Sequence, residues 1–140
     1  MQISIFKSEV QGQVKAPSSK SYTIRGLMCA SLSKGRSELV QPLIADDTES
    51  AVRVLRQIGC RIDLGEGIWQ VLGGNFQTPG GELNCGDSAA TLRFMSAICS
   101  LVPGWCRLTA GRSLSKRPVA VLTEALGKWG VDICFRTDHT

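Results

Sequence analysis

An internal repeat constrains the fold of this chain more than any other feature of its sequence. Arg25 recurs as Arg93, 68 residues later. Further matches follow at an offset of 71 residues, and three extra residues in an intervening loop reconcile the two offsets. These matches pair Leu55 with Leu126, Gly59 with Gly130 and Ile62 with Ile133. Two copies of one β-α-β-α-β-β unit explain the pattern, which predicts an α/β (α+β) fold.

Apolar periodicity places the secondary structure of both copies. In the first copy a serine cap precedes the first helix, and Asp46 and Glu49 are spaced as a capping pair for the second. Its predicted elements are extended segments over 1–6 and 11–15, helices over 19–32 and 46–58, and strands over 37–40, 61–64 and 68–72. In the second copy, Pro118 suits the first turn of a helix. The other predicted elements are a strand-to-helix transition over 83–88, an apolar helical stripe over 92–101, and strands over 105–109 and 131–135.

Composition and charge favour a globular protein that binds small anions. Of the 140 residues, 43% are hydrophobic and 20% are charged, and no apolar run approaches the length of a membrane span. The net charge is +4, and none of the few aromatic residues is interleaved with a basic run. This pattern argues against a nucleic-acid partner. The N-terminus has no long apolar region typical of a signal peptide, so we expect a cytoplasmic location and no membrane association.

The cysteines and the histidine do not indicate a metal site. No CxxC pair occurs among the six cysteines, and the single histidine, His139, lies in a polar tail. Zinc sites normally show closely spaced ligand pairs, so we expect no metal and no cofactor. In a reducing compartment these cysteines are predicted to be small buried hydrophobic residues.

The start of the first predicted helix is a candidate anion site. Free amide groups and the positive end of the helix dipole favour anions there. If related helices point the same way, their starts bring together Lys20, Arg25, Arg93 and Arg117, which suits a ligand with phosphate and carboxylate groups. The alternatives are a solvated helix start with an incidental lysine and a solvated basic loop over 112–117.

Four motifs occur in a fixed order and cover nearly the whole chain. They are Ser19-Lys20-Ser21-x-x-x-Arg25, Asp46-Asp47, Gly86-Asp87-Ser88-Ala89-Ala90-Thr91-Leu92-Arg93 and Lys116-Arg117-Pro118. In this order they resemble the enolpyruvyl transferases. Ser21 favours the branch of that family that acts on shikimate 3-phosphate, because the branch that acts on UDP-N-acetylglucosamine typically has asparagine there. That second branch and a non-catalytic anion-binding module stay open as alternatives.

The resemblance implies a two-lobed enzyme in which each lobe has three such units and helix starts face a cleft between the lobes. The chain resembles the first third of that enzyme and holds two of the three units of one lobe. Residues 1–15 would be strands leading in from the other lobe, 16–82 the first unit and 83–140 the second. Catalytic carboxylates and further basic residues are expected in the remaining C-terminal part. We therefore expect the chain to be inactive alone.

The reaction that the resemblance implies belongs to the shikimate pathway, which leads to chorismate and the aromatic amino acids. The enolpyruvyl group of phosphoenolpyruvate is transferred to the 5-hydroxyl of shikimate 3-phosphate, and phosphate is released. By resemblance, Lys20 is catalytic and contacts both substrates, while Ser21 and Arg25 bind shikimate 3-phosphate. The backbone at Ala89 and the side chain of Arg117 line the phosphoenolpyruvate site.

In the family pattern, asparagine, a small residue, glycine and threonine follow the first glycine of the third motif, and here Asp87, Ser88, Ala89 and Ala90 follow it. Two of the departures matter, those at Asp87 and Ala89. Asp87 places a negative charge near the anion site, and we expect it to weaken phosphoenolpyruvate binding. Asp87 and Arg93 are further candidate binding residues. Ala89 adds a methyl group where glycine is common, against the pocket shared by phosphoenolpyruvate and the longer inhibitor glyphosate. We expect that methyl to disfavour glyphosate more than the substrate.

Overall fold

A computed structural model describes residues 2–135 of the chain, which form a mixed α/β fold. The helices are α1 (Lys20–Leu32), α2 (Asp46–Gln57), α3 (Ala89–Ile98) and α4 (Ala120–Lys128), with 3-10 turns at Cys99–Leu101 and Leu114–Lys116. The strands are β1 (Gly35–Val40), β2 (Arg61–Leu64), β3 (Ile68–Gly73), β4 (Leu83–Asn84) and β5 (Leu108–Thr109). Within the described range, no helix has the length and apolar character needed to cross a membrane.

Two sheets organise the described residues. The first is antiparallel, with β3 between β1 and β2, and the second is the short parallel pair of β4 and β5. Along β3, Trp69 and Val71 are buried while Ile68 and Leu72 are exposed, so one sheet face is covered and the other faces solvent. α1 packs against β1 and β3. The predicted strand over 37–40 and the hairpin of 61–64 with 68–72 are confirmed.

Gly73 allows β3 to approach α1 very closely. A Cβ atom at this position would lie 2.3 Å from the carbonyl oxygen of Ser31 and 2.4 Å from that of Ala30. Both contacts are with backbone atoms near the end of α1, which cannot move aside as a flexible side chain can. The tight contact between this strand and α1 therefore requires glycine.

One hydrophobic core joins the two predicted units. Leu27 of α1, Leu55 of α2 and Met95 of α3 are fully buried and belong to the same cluster as Val71 of β3. The three helices pack pairwise against one another. Because α3 shares this core with α1 and α2, its first turn is held beside theirs.

The buried cysteines behave as the sequence predicts, but not all cysteines are buried. Burial raises the pKa of the Cys60 thiol from its ordinary value of 9.0 to about 11 and that of Cys85 to about 12. Both thiols are thus kept protonated and pack as small apolar groups. Cys29 and Cys134 are exposed, so the prediction of burial is wrong for these two residues. His139 lies outside the described residues.

Several predicted strands are absent from the described part of the chain. Residues 2–19 and 131–135 form no strand, and the strand predicted over 105–109 is limited to Leu108–Thr109. A strand is maintained by hydrogen bonds to a neighbour. Within residues 2–135, the segments 2–19 and 131–135 pair with no neighbouring strand. Alternation of polar and apolar side chains is therefore not enough to form a strand.

Two predicted helix starts are also corrected. The N-cap of α2 is Ala45 rather than Asp46, and the Asp46–Glu49 capping pair does not form. Instead, the hydroxyl of Thr48 accepts a hydrogen bond from the amide of Ala45 at 3.0 Å. α4 begins at Ala120, two residues after Pro118, which therefore lies outside its first turn.

Matching positions of the predicted repeat share local geometry. Ser19 caps α1 and Ser88 caps α3, and each hydroxyl accepts a hydrogen bond from an amide three residues later. Gly59 follows α2 with a φ of 105°, and Gly130 follows α4 with a φ of 86°. These values lie in the left-handed region that glycine tolerates best. The division into units over 16–82 and 83–140 stays a prediction.

Candidate active site

The first turns of α1 place Lys20, Ser21 and Arg25 in one exposed cluster. The hydroxyl of Ser19 accepts a hydrogen bond from the amide of Tyr22 at 3.3 Å, which fixes the start of the helix. Arg25 lies one turn beyond Ser21, and its Nη1 donates to the carbonyl oxygen of Ser21 at 3.2 Å and to the Ser21 hydroxyl. The structure thus brings Ser21 and Arg25 together, with Lys20 beside them.

Asp47 joins the starts of three helices. Its Oδ2 lies 2.7 Å from Nζ of Lys20, which connects the first turn of α2 to that of α1. Its carbonyl oxygen accepts a hydrogen bond from the hydroxyl of Thr91 in α3 at 3.4 Å. The repulsion expected between the Lys20 ammonium and the positive end of α1 is therefore offset by a carboxylate.

Two neighbouring residues in the middle of α3 contact the parts of the cluster that carry Arg25 and Arg117. The guanidinium carbon of Arg25 lies 5.6 Å from the ring centroid of Phe94, a cation–π distance. On the neighbouring residue, Nη2 of Arg93 donates to the carbonyl oxygen of Pro118 at 3.4 Å. Because Pro118 directly follows Arg117, α3 links the helix start that carries Arg25 to the segment that carries Arg117.

The start of α3 offers backbone donors beside this cluster. The hydroxyl of Ser88 accepts from the amide of Thr91 at 3.4 Å and is hydrogen-bonded to the Thr91 hydroxyl at 2.8 Å. Ala89 is the first helical residue and is half-buried. Amides in the first turn of a helix have no carbonyl partner within it. The amide of Ala89 is therefore a candidate donor to an anion.

Asp87, the first departure from the family pattern, contacts backbone groups of another loop. Its Oδ1 accepts hydrogen bonds from the amides of Ser113 at 3.1 Å and Leu114 at 2.9 Å. The loop of Ser113 and Leu114 leads to Arg117. The expectation that Asp87 weakens phosphoenolpyruvate binding stays a prediction, and the contacts give this carboxylate a structural partner that the sequence did not reveal.

Three contacts around the candidate site escape prediction from the sequence. Asp47 belongs to one of the motifs, but its pairing with Lys20 depends on how α1 and α2 pack. A carboxylate and an ammonium at the starts of two helices are the only signal for this pair. Nothing in the sequence indicates that Phe94 faces Arg25 or that Thr91 reaches the backbone of α2.

The arrangement as a whole suits an anion with several charged groups. Lys20, Arg25, Arg93 and Arg117 are exposed and come from three separate parts of the fold. One carboxylate, that of Asp47, is paired with one of them. Hydrogen bonds from cationic side chains to phosphate or carboxylate oxygens are among the strongest in proteins.

Comparison with known proteins identifies the family of the chain. A family profile described as EPSP synthase (3-phosphoshikimate 1-carboxyvinyltransferase) matches residues 6–140. The chain belongs to the EPSP synthase family. Two proteins named 3-phosphoshikimate 1-carboxyvinyltransferase, from two strains of Dehalococcoides mccartyi, are 46% identical to it over 142 residues. The alignment covers 100% of this chain and 34% of each relative.

More distant members of the family show the same partial coverage. A protein of the same name from Methanothermobacter thermautotrophicus is 41% identical over 135 residues, which cover 94% of this chain and 32% of that relative. The chain thus spans about a third of the length of these relatives. The structure of EPSP synthase from Acinetobacter baumannii superposes with a TM-score of 0.83 at 24% identity, over 91% of this chain and 30% of that one. This match confirms the predicted α/β fold class.

Proposed function

We propose that the chain is part of an enzyme that transfers the enolpyruvyl group of phosphoenolpyruvate to the 5-hydroxyl of shikimate 3-phosphate. The observation that carries the proposal is the meeting of the α1, α2 and α3 starts around Lys20 and Asp47. Relatives that bear the name of this activity are 46% identical along the whole chain, which supports the assignment. The units over 16–82 and 83–140 would form part of one lobe, and the rest of the enzyme would complete the cleft.

Both substrates are highly charged, which is why cationic side chains matter. The 5-hydroxyl oxygen forms a bond to C2 of phosphoenolpyruvate, and the bond between C2 and the phosphate oxygen breaks. Inorganic phosphate leaves, and the proton of the 5-hydroxyl ends on it. The ammonium of Lys20 is a compact charge on a flexible stem, so it can reach oxygens of both substrates near the reacting atoms. In this role Lys20 is the catalytic residue, and Asp47 keeps its side chain directed toward the α2 start.

The two substrates would occupy neighbouring parts of the cluster. Ser21 and Arg25 bind the phosphate of shikimate 3-phosphate, because the planar guanidinium donates two parallel hydrogen bonds that lysine does not reproduce. The amide of Ala89 and the side chain of Arg117 bind phosphoenolpyruvate. Arg93 supports this second subsite through its hydrogen bond to Pro118, rather than through the substrate itself.

Titration of shikimate 3-phosphate against the 140-residue chain tests the first subsite. Amide resonances of residues 19–25 should shift on addition of the ligand, and Arg25→Lys should weaken binding. Arg61→Lys is the matched control, because Arg61 is an exposed arginine of β2 in the antiparallel sheet. Equal affinity in Arg25→Lys and the unmodified chain would remove Arg25 from the site.

Turnover is tested in a full-length enzyme, here called the chimera. In the chimera this chain replaces the matching third of the Dehalococcoides mccartyi relative. We expect phosphate release that requires both substrates, and Lys20→Ala should reduce kcat/KM for both of them. Lys34→Ala, which alters an exposed lysine after α1, is the control. A chimera that folds and binds shikimate 3-phosphate but releases no phosphate would support the non-catalytic anion-binding module instead.

A further inference from the structure

Asp87 connects the two segments, one after β4 and one after β5, that lead to the residues proposed to bind phosphoenolpyruvate. β4 and β5 are parallel neighbours, so the segments that follow them leave the sheet at the same edge. Asp87 follows β4, and its Oδ1 accepts hydrogen bonds from the amides of Ser113 and Leu114 after β5, at 3.1 and 2.9 Å. The backbones also meet directly, because the amide of Gly111 donates to the carbonyl oxygen of Gly86 at 2.6 Å.

The hydrogen bonds continue from Asp87 to Arg117. The amide of Leu114 donates to Asp87, and its carbonyl oxygen accepts from the amide of Arg117 at 2.9 Å. The side chain of Leu114 is buried, which anchors the turn on its inner side. Beyond Arg117, the carbonyl oxygen of Pro118 accepts from Arg93. The backbone is therefore held on both sides of Arg117, while the arginine itself is exposed.

The space around Gly111 shows how closely this loop approaches the carboxylate. A Cβ atom at position 111 would lie 2.6 Å from Oδ1 and 2.8 Å from Cγ of Asp87. The three atoms nearest to that position all belong to Asp87. The absence of a side chain at Gly111 thus allows the Asp87 carboxylate to lie close to the backbone of this loop.

We propose that Asp87 is a positioning residue that fixes the loop over 111–117 and so presents Arg117 to phosphoenolpyruvate. The inference rests on the function proposed above for Arg117. Hydrogen bonds to a carboxylate are stronger than those to a neutral amide, so aspartate holds the loop more firmly than asparagine would. Because Ala89 begins α3 only two residues after Asp87, this carboxylate also fixes Arg117 relative to the Ala89 amide.

Amide hydrogen exchange in the 140-residue chain tests the contact itself. In Asp87→Ala the amides of Ser113 and Leu114 should exchange at least about tenfold faster, because they lose a charged acceptor. Asp87→Asn keeps an acceptor oxygen and should retain most of the protection. Glu82→Ala is the matched control, since it removes an exposed carboxylate just before β4 that pairs with Arg107 instead. Unchanged exchange in Asp87→Ala would overturn the proposal.

The KM for phosphoenolpyruvate in the chimera separates positioning from simple charge. Positioning predicts that Asp87→Ala raises this KM about tenfold while Asp87→Asn changes it about twofold or less. If Asp87 only repels the substrate, both variants should lower the KM, and the positioning role fails. Arg117→Ala tests the underlying function separately. An unchanged KM in that variant would refute the proposed role of Arg117, whatever the exchange rates show.

Substitutions at positions 87 and 111, made singly and together, distinguish loss of the contact between these residues from general unfolding of a variant. Gly111→Ala alone should push the loop away from the carboxylate and increase exchange at Ser113. In the Asp87→Ala background the same glycine substitution meets no carboxylate, so its further effect on exchange should be at least about threefold smaller. Equal effects in the two backgrounds would show that Gly111 does not report on Asp87 and would contradict the close contact.

Discussion

Nζ of Lys20 and Oδ2 of Asp47 lie 2.7 Å apart across the first turns of two helices. The side chain of Lys20 is 53% exposed and that of Asp47 is 26% exposed. Water therefore screens the pair, and its contribution to stability is small although its geometry is close. The ion pair orients the lysine more than it stabilises the fold.

A double-mutant cycle with Lys20→Met and Asp47→Asn measures this pair directly. We expect a coupling free energy of about 0.2–1 kcal/mol in urea unfolding, decreasing as salt is added. Glu82 and Arg107 form a more exposed pair at 3.3 Å and provide the control, with an equal or smaller coupling. A coupling above about 2 kcal/mol would mean that Lys20 and Asp47 stabilise the fold rather than orient the lysine.

Gly73 should tolerate alanine poorly because of its contact with α1. The added Cβ meets backbone carbonyl oxygens, so Gly73→Ala should lower the free energy of unfolding by about 1–3 kcal/mol or more. Gly127 in α4 is the matched control, since a Cβ there has no atom within 4 Å. Gly127→Ala should raise the free energy of unfolding by about 0.4–1 kcal/mol. Chemical denaturation measures both, and similar values of the same sign would argue against this packing.

The raised thiol pKa values make stability depend on pH in the alkaline range. Cys60 and Cys85 stay protonated in the folded protein up to about pH 11 and 12, whereas in the unfolded chain they ionise from about pH 9.0. The unfolded state thus releases these protons first, and stability falls as pH rises from about 9 toward 12. Urea unfolding at several pH values measures this slope.

Two further measurements identify the thiols responsible. A variant with Cys60→Ala and Cys85→Ala should show a clearly smaller alkaline slope. Burial also raises the pKa of the Cys99 thiol, so adding Cys99→Ala should reduce the slope further. At pH 8, iodoacetamide should modify the exposed Cys29 well before either buried thiol. Rapid alkylation of Cys60 in the folded protein would contradict its burial.

Ala89 should make the chimera tolerant to glyphosate. If Ala89 lines the phosphoenolpyruvate pocket, as proposed above, its methyl group enters that pocket, where the longer inhibitor has less freedom to shift. We expect Ala89→Gly to lower the inhibition constant of glyphosate about tenfold, with a smaller decrease in the KM for phosphoenolpyruvate. Ala97→Gly, at an exposed position later in α3, controls for glycine within the helix. Equal inhibition constants for alanine and glycine at position 89 would place the methyl outside the pocket.

Local sequence signals account for the elements whose contacts are local. α1 and the hairpin of β2 and β3 are predicted within one residue, because a serine cap and a glycine-containing turn define their ends. The strands predicted over 11–15 and 131–135 fail because pairing needs a neighbour that periodicity cannot supply. Lys20, Ser21 and Arg25 can be predicted as a cluster because they lie within two turns of a single helix. The contacts of Lys20 with Asp47 and of Asp87 with Leu114 cross between elements, and only the tertiary fold reveals them.

The extended segment before α1 has a consequence for how the chain can be cut. Residues 2–17 are all exposed, and the apolar side chains of Ile5, Phe6 and Val14 are 83–97% exposed. Because these side chains are not buried against the rest of the fold, they contribute almost no hydrophobic stabilisation to it. Proteolytic removal of residues 2–14 should therefore leave the melting temperature of the remainder unchanged. While the segment is attached, its backbone is available to pair as an added strand with an exposed sheet edge.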